Sequence, residues 1–261
     1  MKIMSFLTPK LFVGAIALTV AAMASQAFAE PVAQAITVLR VKGMARYSSD
    51  NQAWHPLKKG DVLNPGTIIQ TGPKAFVDIQ LGDRDAATAP ISYNPNSTMY
   101  APEQMKANVV RIFENAALAV DKLAVDKTAN GDPVSDTQLD LRAGQIMGNV
   151  KKLSASSKYE VKIPNGVAGI RGTVYMISSS GVVNVLSGSV VIAIVGSDGT
   201  VTTRVVTAHQ SFDPATNQVT PLSNQQVTIL QNLYNQLGGL PNTPPSGPVN
   251  GTPILYVSPN N

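Results

Sequence analysis

The stretch Ile163–Thr173, which reads I-P-N-G-V-A-G-I-R-G-T, is the most informative part of this 261-residue chain. Three of its residues, Gly166, Gly169 and Gly172, are glycines spaced three apart. Glycine is needed where φ is positive or where another backbone passes close, so the spacing predicts a shaped turn rather than a slack linker. The segments on either side are apolar or alternate between apolar and polar residues, and they predict strands.

The charge in this stretch comes from Arg171 alone, and Thr173 follows closely. Two interpretations are open. In the structural one, the glycines let the chain pass between sheets while Arg171 and Thr173 bond backbone groups. In the functional one, exposed backbone amides around Arg171 bind a carboxylate of a partner.

This stretch resembles the hallmark of the FecR domain, a periplasmic module. The resemblance spans roughly residues 36–212 and includes a Gly-Asp pair, a Thr-Gly pair and a later Ser-Gly turn. It names a module and not a reaction. The positions that carry the resemblance, and that it implies are mainly structural, are Gly60, Asp61, Thr71, Gly72, Pro164, Gly166, Gly169, Arg171, Gly172, Thr173 and Gly188.

The resemblance implies an all-β fold, an antiparallel β-sandwich of the jelly-roll type. Turn signals recur about every eight to twelve residues, which is typical of a sandwich or barrel. A β-solenoid is the alternative, because many short strands would also suit stacked coils, although no constant repeat period occurs. Only 5% of the residues are aromatic against 44% hydrophobic, so the core must be built from aliphatic side chains.

Two accessory helices are expected to decorate this fold. The first is an insertion at about 109–129, in which apolar residues such as Val110, Phe113 and Ala117 lie three or four apart. It either covers one end of the sandwich or docks a partner. The second runs from Ser223 to Leu237 and begins with the capping-box pattern Ser-x-x-Gln.

The first residues predict export. A short basic region is followed by an apolar run and by Ala27–Ala29, an A-x-A cleavage site, so residues 1–29 are expected to be a signal peptide. A retained signal anchor is the alternative, but the run is short for a bilayer span of about 20 residues. The expected organisation is then a FecR-like β domain at 30–212, a C-terminal helix at 213–238 and a Pro-rich tail at 239–261.

Charge and cysteine content exclude several classes of protein. Without Lys2 and Lys10 of the leader, the 20 basic residues become 18 against 16 acidic ones, so the formal charge falls from +4 to +2. A nearly balanced chain without a basic cluster argues against nucleic acid as a partner. The chain has no cysteine, which excludes disulfides, thiolate metal sites and a lipoprotein anchor.

No catalytic, cofactor-binding or metal-binding residue is predicted. The two histidines, His55 and His209, are far apart in sequence and neither has metal-ligand spacing. Nucleophile, phosphate-loop and dinucleotide motifs do not occur. Trp54, the single tryptophan, is predicted as a core plug, with ligand stacking as the alternative. Trp54 and Arg171 are therefore the candidate partner contacts.

We expect an exported, non-enzymatic interaction module of the cell envelope that binds a protein or polysaccharide in the periplasm or at the cell surface. After signal cleavage no stable membrane span is expected. FecR regulators relay transporter occupancy to a sigma partner through a cytoplasmic segment and a membrane helix, and that architecture is not expected here. A ligand-sensing component of envelope signal transduction is the first alternative, and an envelope hydrolase of unrecognised type is the second.

Overall fold

The computed structural model describes residues 31–82, 108–126, 133–196 and 198–237. The predicted signal peptide and the predicted Pro-rich tail lie outside these ranges. Within them the chain forms nineteen strands and one helix. The strands are β1 (Val32–Ala33), β2 (Ile36–Lys42), β3 (Ala45–Ser48), β4 (His55–Pro56), β5 (Val62–Leu63), β6 (Ile68–Thr71), β7 (Phe76–Leu81), β8 (Val109–Ile112), β9 (Ala117–Asp126), β10 (Val134–Ala143), β11 (Gln145–Asn149), β12 (Lys158–Ile163), β13 (Gly166–Ile170), β14 (Val174–Ser178), β15 (Val183–Ser187), β16 (Ser189–Val195), β17 (Val201–Thr207), β18 (Gln210–Asp213) and β19 (Gln218–Pro221), and the helix is α1 (Asn224–Asn235).

The strands form two sheets. Sheet A has the order β17-β16-β13-β12-β10-β9-β6-β3-β4, with β1 paired to β9, and sheet B has the order β19-β18-β15-β14-β11-β8-β7-β2-β5. Among the described strands only β10 and β12 pair in parallel. The fold is therefore all-β and mainly antiparallel, as predicted. The two sheets favour a sandwich. The jelly-roll type stays a prediction, and so does the β-solenoid alternative.

The chain repeatedly bends from one sheet into the other. It passes from β6 to β7, from β10 to β11, from β13 to β14 and from β15 to β16 in this way, with a short corner at each bend. Successive strand pairs therefore stack on each other and enclose one aliphatic core. Its fully buried members come from both sheets and include Ile36, Ile79, Ile112, Leu118, Leu139, Val161, Ile177, Val185, Ile192 and Phe212.

The helix predicted at about 109–129 is wrong, because β8 and β9 occupy this segment as far as residue 126. All four residues of β8 are buried, so β8 shows no alternation. In β9 the register with β10 jumps from Val120 to Lys122, which leaves Asp121 as a bulge. A bulge reverses which face the following side chains take. Val120 and Leu123 are therefore both buried, at a spacing that imitates a helix.

The C-terminal helix is present as α1, and its capping box is complete. The Ser223 hydroxyl accepts from the Gln226 N–H, and the Gln226 side chain accepts from the Ser223 N–H at 2.8 Å. Sheet B continues past the predicted domain boundary at residue 212, because β19 follows β18 before α1 begins. The helix is thus attached directly to the last strand of sheet B.

Two tyrosines from opposite sheets meet inside the core. The hydroxyl of Tyr159 on β12 lies 3.1 Å from that of Tyr175 on β14, and their rings meet edge to face. Burial is the main cause that raises the pKa of both phenols well above the ordinary value near 10. The folded chain therefore keeps both hydroxyls protonated at pH values where the unfolded chain has begun to ionise them.

This pair predicts a loss of stability at alkaline pH. Above about pH 10 the unfolded state binds fewer protons than the folded state, so the free energy of unfolding falls by about 1.4 kcal/mol per pH unit for each buried hydroxyl. Urea titrations between pH 9 and 11 should show a steeper decline for the wild type than for the double variant Tyr159→Phe/Tyr175→Phe. Equal slopes in the two proteins would contradict the assignment.

Candidate functional site

Thr173 is the polar centre of the corner between β13 and β14. Its N–H donates to the carbonyl of Val150 at 3.1 Å, and its carbonyl accepts from the N–H of Val150 at 3.0 Å. Its hydroxyl donates to the carbonyl of Ser189 at 2.8 Å and accepts from the N–H of Ser189 at 3.2 Å. Thr173 is buried, so its hydroxyl serves backbone groups that have little access to water. The corner therefore ties the end of β11 to the start of β16.

The neighbouring corner, between β15 and β16, stacks directly on this one. Gly172 and Gly188 both adopt left-handed backbone, with φ of 65° and 82°. A Cβ on Gly188 would overlap the carbonyl oxygen of Gly172 and the side chain of Thr173. The two corners therefore approach more closely than residues with side chains would permit.

The glycine-rich stretch is not one continuous turn, so that prediction is wrong in part. Pro164 and Asn165 form a turn between β12 and β13, and β13 then pairs with both β12 and β16. Gly166 is closely covered, because a Cβ there would overlap the carbonyl oxygen of Ala193. Gly169 by contrast has no close neighbour. The stretch thus combines a hairpin turn, a strand and a corner.

Arg171 lies exposed beside the corner. Within the described ranges its side chain makes no hydrogen bond or ion pair. The structural interpretation, in which Arg171 and Thr173 both bond backbone groups, therefore holds for Thr173 and not for Arg171. A role for Arg171 in contacting a partner stays a prediction.

The upstream family positions are divided between the sheets, since Thr71 ends β6 in sheet A whereas Gly60 and Asp61 precede β5 in sheet B. Thr71 accepts from the N–H of Ala116 through its hydroxyl at 3.0 Å, and Gly72 donates to the carbonyl of Met44 at 2.9 Å. Gly60 and Asp61 form the turn before β5, where the Asp61 carboxylate accepts from the N–H of Lys58. These residues hold corners of their own and are not close to Thr173.

Trp54 is half-buried and does not plug the core. The guanidinium of Arg46 lies 4.5 Å above its ring, and Arg46 also donates to the side-chain oxygen of Gln70 at 2.8 and 3.0 Å. This cation–π arrangement holds the indole against the outer surface of sheet A. The core-plug prediction is therefore wrong, and partner stacking by Trp54 stays a prediction.

A cleft of about 610 Å³ opens beside the Thr173 corner, and we call it the corner cleft. It is bounded by the end of β11, by the two glycine corners, by the turn between β17 and β18, and by α1. The polar and aromatic side chains that line it are Asn149, Lys151, Lys152, Thr173, Ser187, His209, Gln231 and Tyr234. Apolar residues at its base are Val174 and Leu186.

Among the described residues that line the corner cleft, the charged side chains are all basic. Lys151 and Lys152 lie on one wall and His209 on another, and no described residue that lines the cleft is acidic. Arg171 directly precedes the lining residue Gly172. Lys152 in the cleft and Arg171 beside it are exposed cations, and exposed cations at a concave site create a positive potential that attracts anions.

Helix α1 forms one wall of the cleft because it packs on the outer face of sheet B. Leu230 and Leu237 are buried there against Met176 and Leu186. At the C-terminal end of the helix the carbonyl of Gln236 accepts from the guanidinium of Arg111 at 2.7 Å. A cation at this end also interacts favourably with the helix dipole.

Arg111 itself is part of a buried ion pair. Its guanidinium binds both carboxylate oxygens of Asp78 at 2.7 and 2.8 Å, and both side chains are nearly inaccessible to solvent. The ring of Phe76 packs 4.6 Å from the guanidinium carbon. The position of α1, and with it the shape of the cleft, therefore depends on a charged group inside the protein.

Sequence reasoning missed both the ion pair and the cleft lysines. Asp78 and Arg111 face each other across β7 and β8, a register that becomes apparent only after β8 is recognised as a strand. The adjacent pair Lys151–Lys152 was a visible signal, since it directly follows a predicted strand. That these lysines and His209 line the same cleft depends on how the two sheets stack, which the sequence does not show.

The two histidines do not come together. His55 lies on β4 at one end of sheet A, in ring contact with Tyr47, and His209 lies at the other end beyond β17. Across the described ranges no group of three or more histidine or acidic side chains could hold a metal ion.

The fold and this geometry define a two-sheet β domain with structural glycine corners and a cationic cleft on its surface. The model of one family, described as FecR protein, matches residues 67–191, from the end of the turn before β6 into β16. The chain therefore contains a FecR-family domain, and the match includes the Thr173 corner. The sandwich extends beyond the matched residues at both ends.

No curated protein and no solved structure matches the chain significantly. In the part of the chain that the structure describes, no helix has the length and hydropathy that a membrane span requires.

Proposed function

We propose that the chain is an exported, non-enzymatic component of the cell envelope that binds an acidic polysaccharide in the corner cleft. The observation that carries the proposal is the lining of the cleft, which combines the exposed Lys152 with amide and hydroxyl groups and contains no described acidic residue. The FecR domain supports an envelope setting, because the family it belongs to acts there.

The hydrogen-bonding groups of the cleft suit a sugar chain. Asn149 and Gln231 carry amides that both donate and accept, Ser187 adds a hydroxyl, and Tyr234 adds an aromatic ring with a polar tip. Lys152 supplies a charge that would select uronic acid or other acidic sugars over neutral ones. The volume, about 610 Å³, lies within the range of about 300–1,000 Å³ that is common for small-ligand sites.

Export is supported by the N-terminal sequence. A basic region, an apolar run and the A-x-A site at Ala27–Ala29 predict cleavage before Glu30. The mass of the chain purified from the envelope would test this step, because an uncleaved anchor would add the whole leader to the measured mass.

The substitution Lys152→Glu tests the cleft. With the chain from Glu30 at low salt, titration with an oligogalacturonate should show tighter binding than titration with a neutral maltooligosaccharide. Reversing the charge of Lys152 removes an attraction and adds a repulsion, so it should weaken oligogalacturonate binding about tenfold, or about 1.4 kcal/mol. Isothermal titration calorimetry measures both affinities.

Lys59→Glu is the matched control, because it makes the same change of charge at an exposed lysine in the turn before Gly60, away from the cleft. Its affinity for the oligogalacturonate should remain near that of the wild type. Equal weakening by the two substitutions would show that net charge, and not the cleft, attracts the polymer. Equal binding of the acidic and neutral sugars would refute the proposal.

A ligand-sensing role in envelope signal transduction is the second candidate, and membership of the FecR family favours it. Sensing requires that an occupied cleft change another surface of the molecule. Because α1 forms a wall of the cleft, its amide exchange should change in either case, so exchange measured across the whole chain with and without oligogalacturonate separates the two functions. A change at a surface away from the cleft and α1 favours sensing. Exchange that changes only beside the ligand favours simple binding.

A further inference from the structure

The two sheets end unevenly on the side of β17. Sheet A ends at β17, which leads through a tight turn into β18 of sheet B. Sheet B, however, continues by one more strand, since β19 pairs with the far side of β18. Among the described residues, β19 therefore has no strand of sheet A stacked over it. Sheet A is one strand shorter than sheet B on this side.

The inner face of β19 is correspondingly open. In the register of β18 and β19, Val219 lies beside the core residue Phe212, and Pro221 lies beside Gln210 on the same face. Phe212 is buried, but Val219 is only half-buried and Pro221 is exposed. Apolar groups that point towards the interior thus remain partly in contact with solvent.

Within the described ranges, no further strand pairs with the edge of β17 beside this gap. The N–H of Gly196 donates to the carbonyl of Thr200 at 2.8 Å, which closes the hairpin between β16 and β17. Antiparallel pairing alternates, so the backbone groups of residues 202, 204 and 206 point towards β16. Those of Val201, Thr203 and Val205 point outwards, where the Thr203 carbonyl accepts from the side chain of Arg204 at 3.0 Å.

The two edge strands at the other end of the sandwich are protected from strand addition. At the far side of the sandwich, β4 and β5 are two residues long, and β4 contains Pro56. Short edge strands and proline are common devices against unwanted pairing. β17 has seven residues and no proline. Its length sets it apart from the edges at the other end.

The positive charge of Arg204 determines which kind of strand can pair with the edge of β17. Arg204 lies on the inner face of β17, two residues from the buried Val206, and so points towards the gap over β19. Its guanidinium donates to the carbonyl of Thr203, in its own strand, and within the described ranges it pairs with no carboxylate. An inward-facing cation disfavours an apolar strand but favours one that brings an acidic side chain to this position.

We infer that β17 is a strand-addition site for an extended segment of a partner protein, with apolar residues alternating along one face and one carboxylate opposite Arg204. The added strand exchanges hydrogen bonds with Val201, Thr203 and Val205 and covers Val219. It thereby completes sheet A. On the outer face it extends the row of exposed valines that Val191, Val195, Val201 and Val205 already form.

A pair of synthetic peptides tests the site on the full chain from Glu30. The first alternates valine with threonine and has glutamate in place of one valine, and the second has lysine at that place. By fluorescence anisotropy, the wild type should bind the glutamate peptide at least tenfold more tightly than the lysine peptide. Arg204→Glu should reverse this preference.

Proline at the edge separates strand addition from other modes of binding. Thr203→Pro removes an N–H that lies outside the β16–β17 ladder, so the fold should persist, as circular dichroism and melting will show. Binding of the glutamate peptide should fall at least tenfold, whereas Thr203→Val should keep it. Unchanged binding by Thr203→Pro overturns the inference.

Two further outcomes also overturn it. A wild type that binds both peptides equally would show that Arg204 does not face the added strand. Peptide binding that appears only after residues 238–261 are removed would show that the chain's own C-terminal segment, and not a partner protein, occupies the edge.

Discussion

Replacing Arg111 by alanine should lower the free energy of unfolding by about 3–5 kcal/mol. The substitution leaves the carboxylate of Asp78 buried without its guanidinium partner, and both side chains are at most 3% exposed. It also removes the donor to the carbonyl of Gln236 at the end of α1. Total stabilities of single domains are only about 5–15 kcal/mol, so the loss would be severe. Urea unfolding followed by circular dichroism measures it.

Two further variants show whether the buried charge is the cause. The double variant Asp78→Leu/Arg111→Met replaces the pair by apolar side chains of similar size and should recover most of the loss, because buried ion pairs can often be exchanged in this way. Lys122→Ala removes the cation of the exposed pair with Asp136 and should cost no more than about 1 kcal/mol. If the double variant were as unstable as Arg111→Ala, desolvated charge would not be the explanation.

Gly188→Ala should be the most damaging change at the glycine corners, with a loss of about 2–5 kcal/mol. A left-handed backbone costs a residue with a Cβ about 1–2 kcal/mol. The overlap with the carbonyl of Gly172 and with Thr173 adds about 1–3 kcal/mol, because backbone cannot move aside as a flexible side chain can. Thermal unfolding of the variant measures the sum.

Gly199→Ala is the matched control for the Gly188 variant. Its φ of 80° is nearly that of Gly188 at 82°, but a Cβ at this position would meet no atom within 4 Å. It should therefore show the backbone cost alone, about 1–2 kcal/mol. Equal losses at the two positions would mean that the corners are less tightly stacked than the structure indicates. A larger loss at Gly188 would confirm that two backbones approach closely there.

The sequence predicted features that depend on local chemistry. The capping box at Ser223 and Gln226 is a short-range signal, and α1 begins where it predicted. The alternation of apolar and polar residues in β7 and β12 correctly predicted strands, because this pattern is also a short-range signal. The segment from 109 to 126 was misjudged because the bulge at Asp121 depends on the pairing with β10, which a single segment does not show.

The corner cleft could not be predicted, because its walls are distant in sequence. Lys151, His209 and Tyr234 meet only after β11, the β17–β18 turn and α1 have been placed by two stacked sheets. The glycines of the family stretch were predicted correctly as sites of close approach at Gly166 and Gly172, and Gly172 lines the cleft without providing its chemistry. The side chains that give the cleft its charge lie in the less distinctive segments around them.

The one parallel pair among the described strands, β10 with β12, affects how the chain assembles. Before it, β1 to β11 pair only among themselves, and after it, β12 to β19 do the same apart from the contact of β11 with β14. The first half of the chain can therefore fold before the second half is available. Until β12 and β14 arrive, β10 and β11 present open edges, and open edges are the places where incomplete chains pair wrongly. The risk of wrong pairing falls when β12 and β14 cover the edges of β10 and β11.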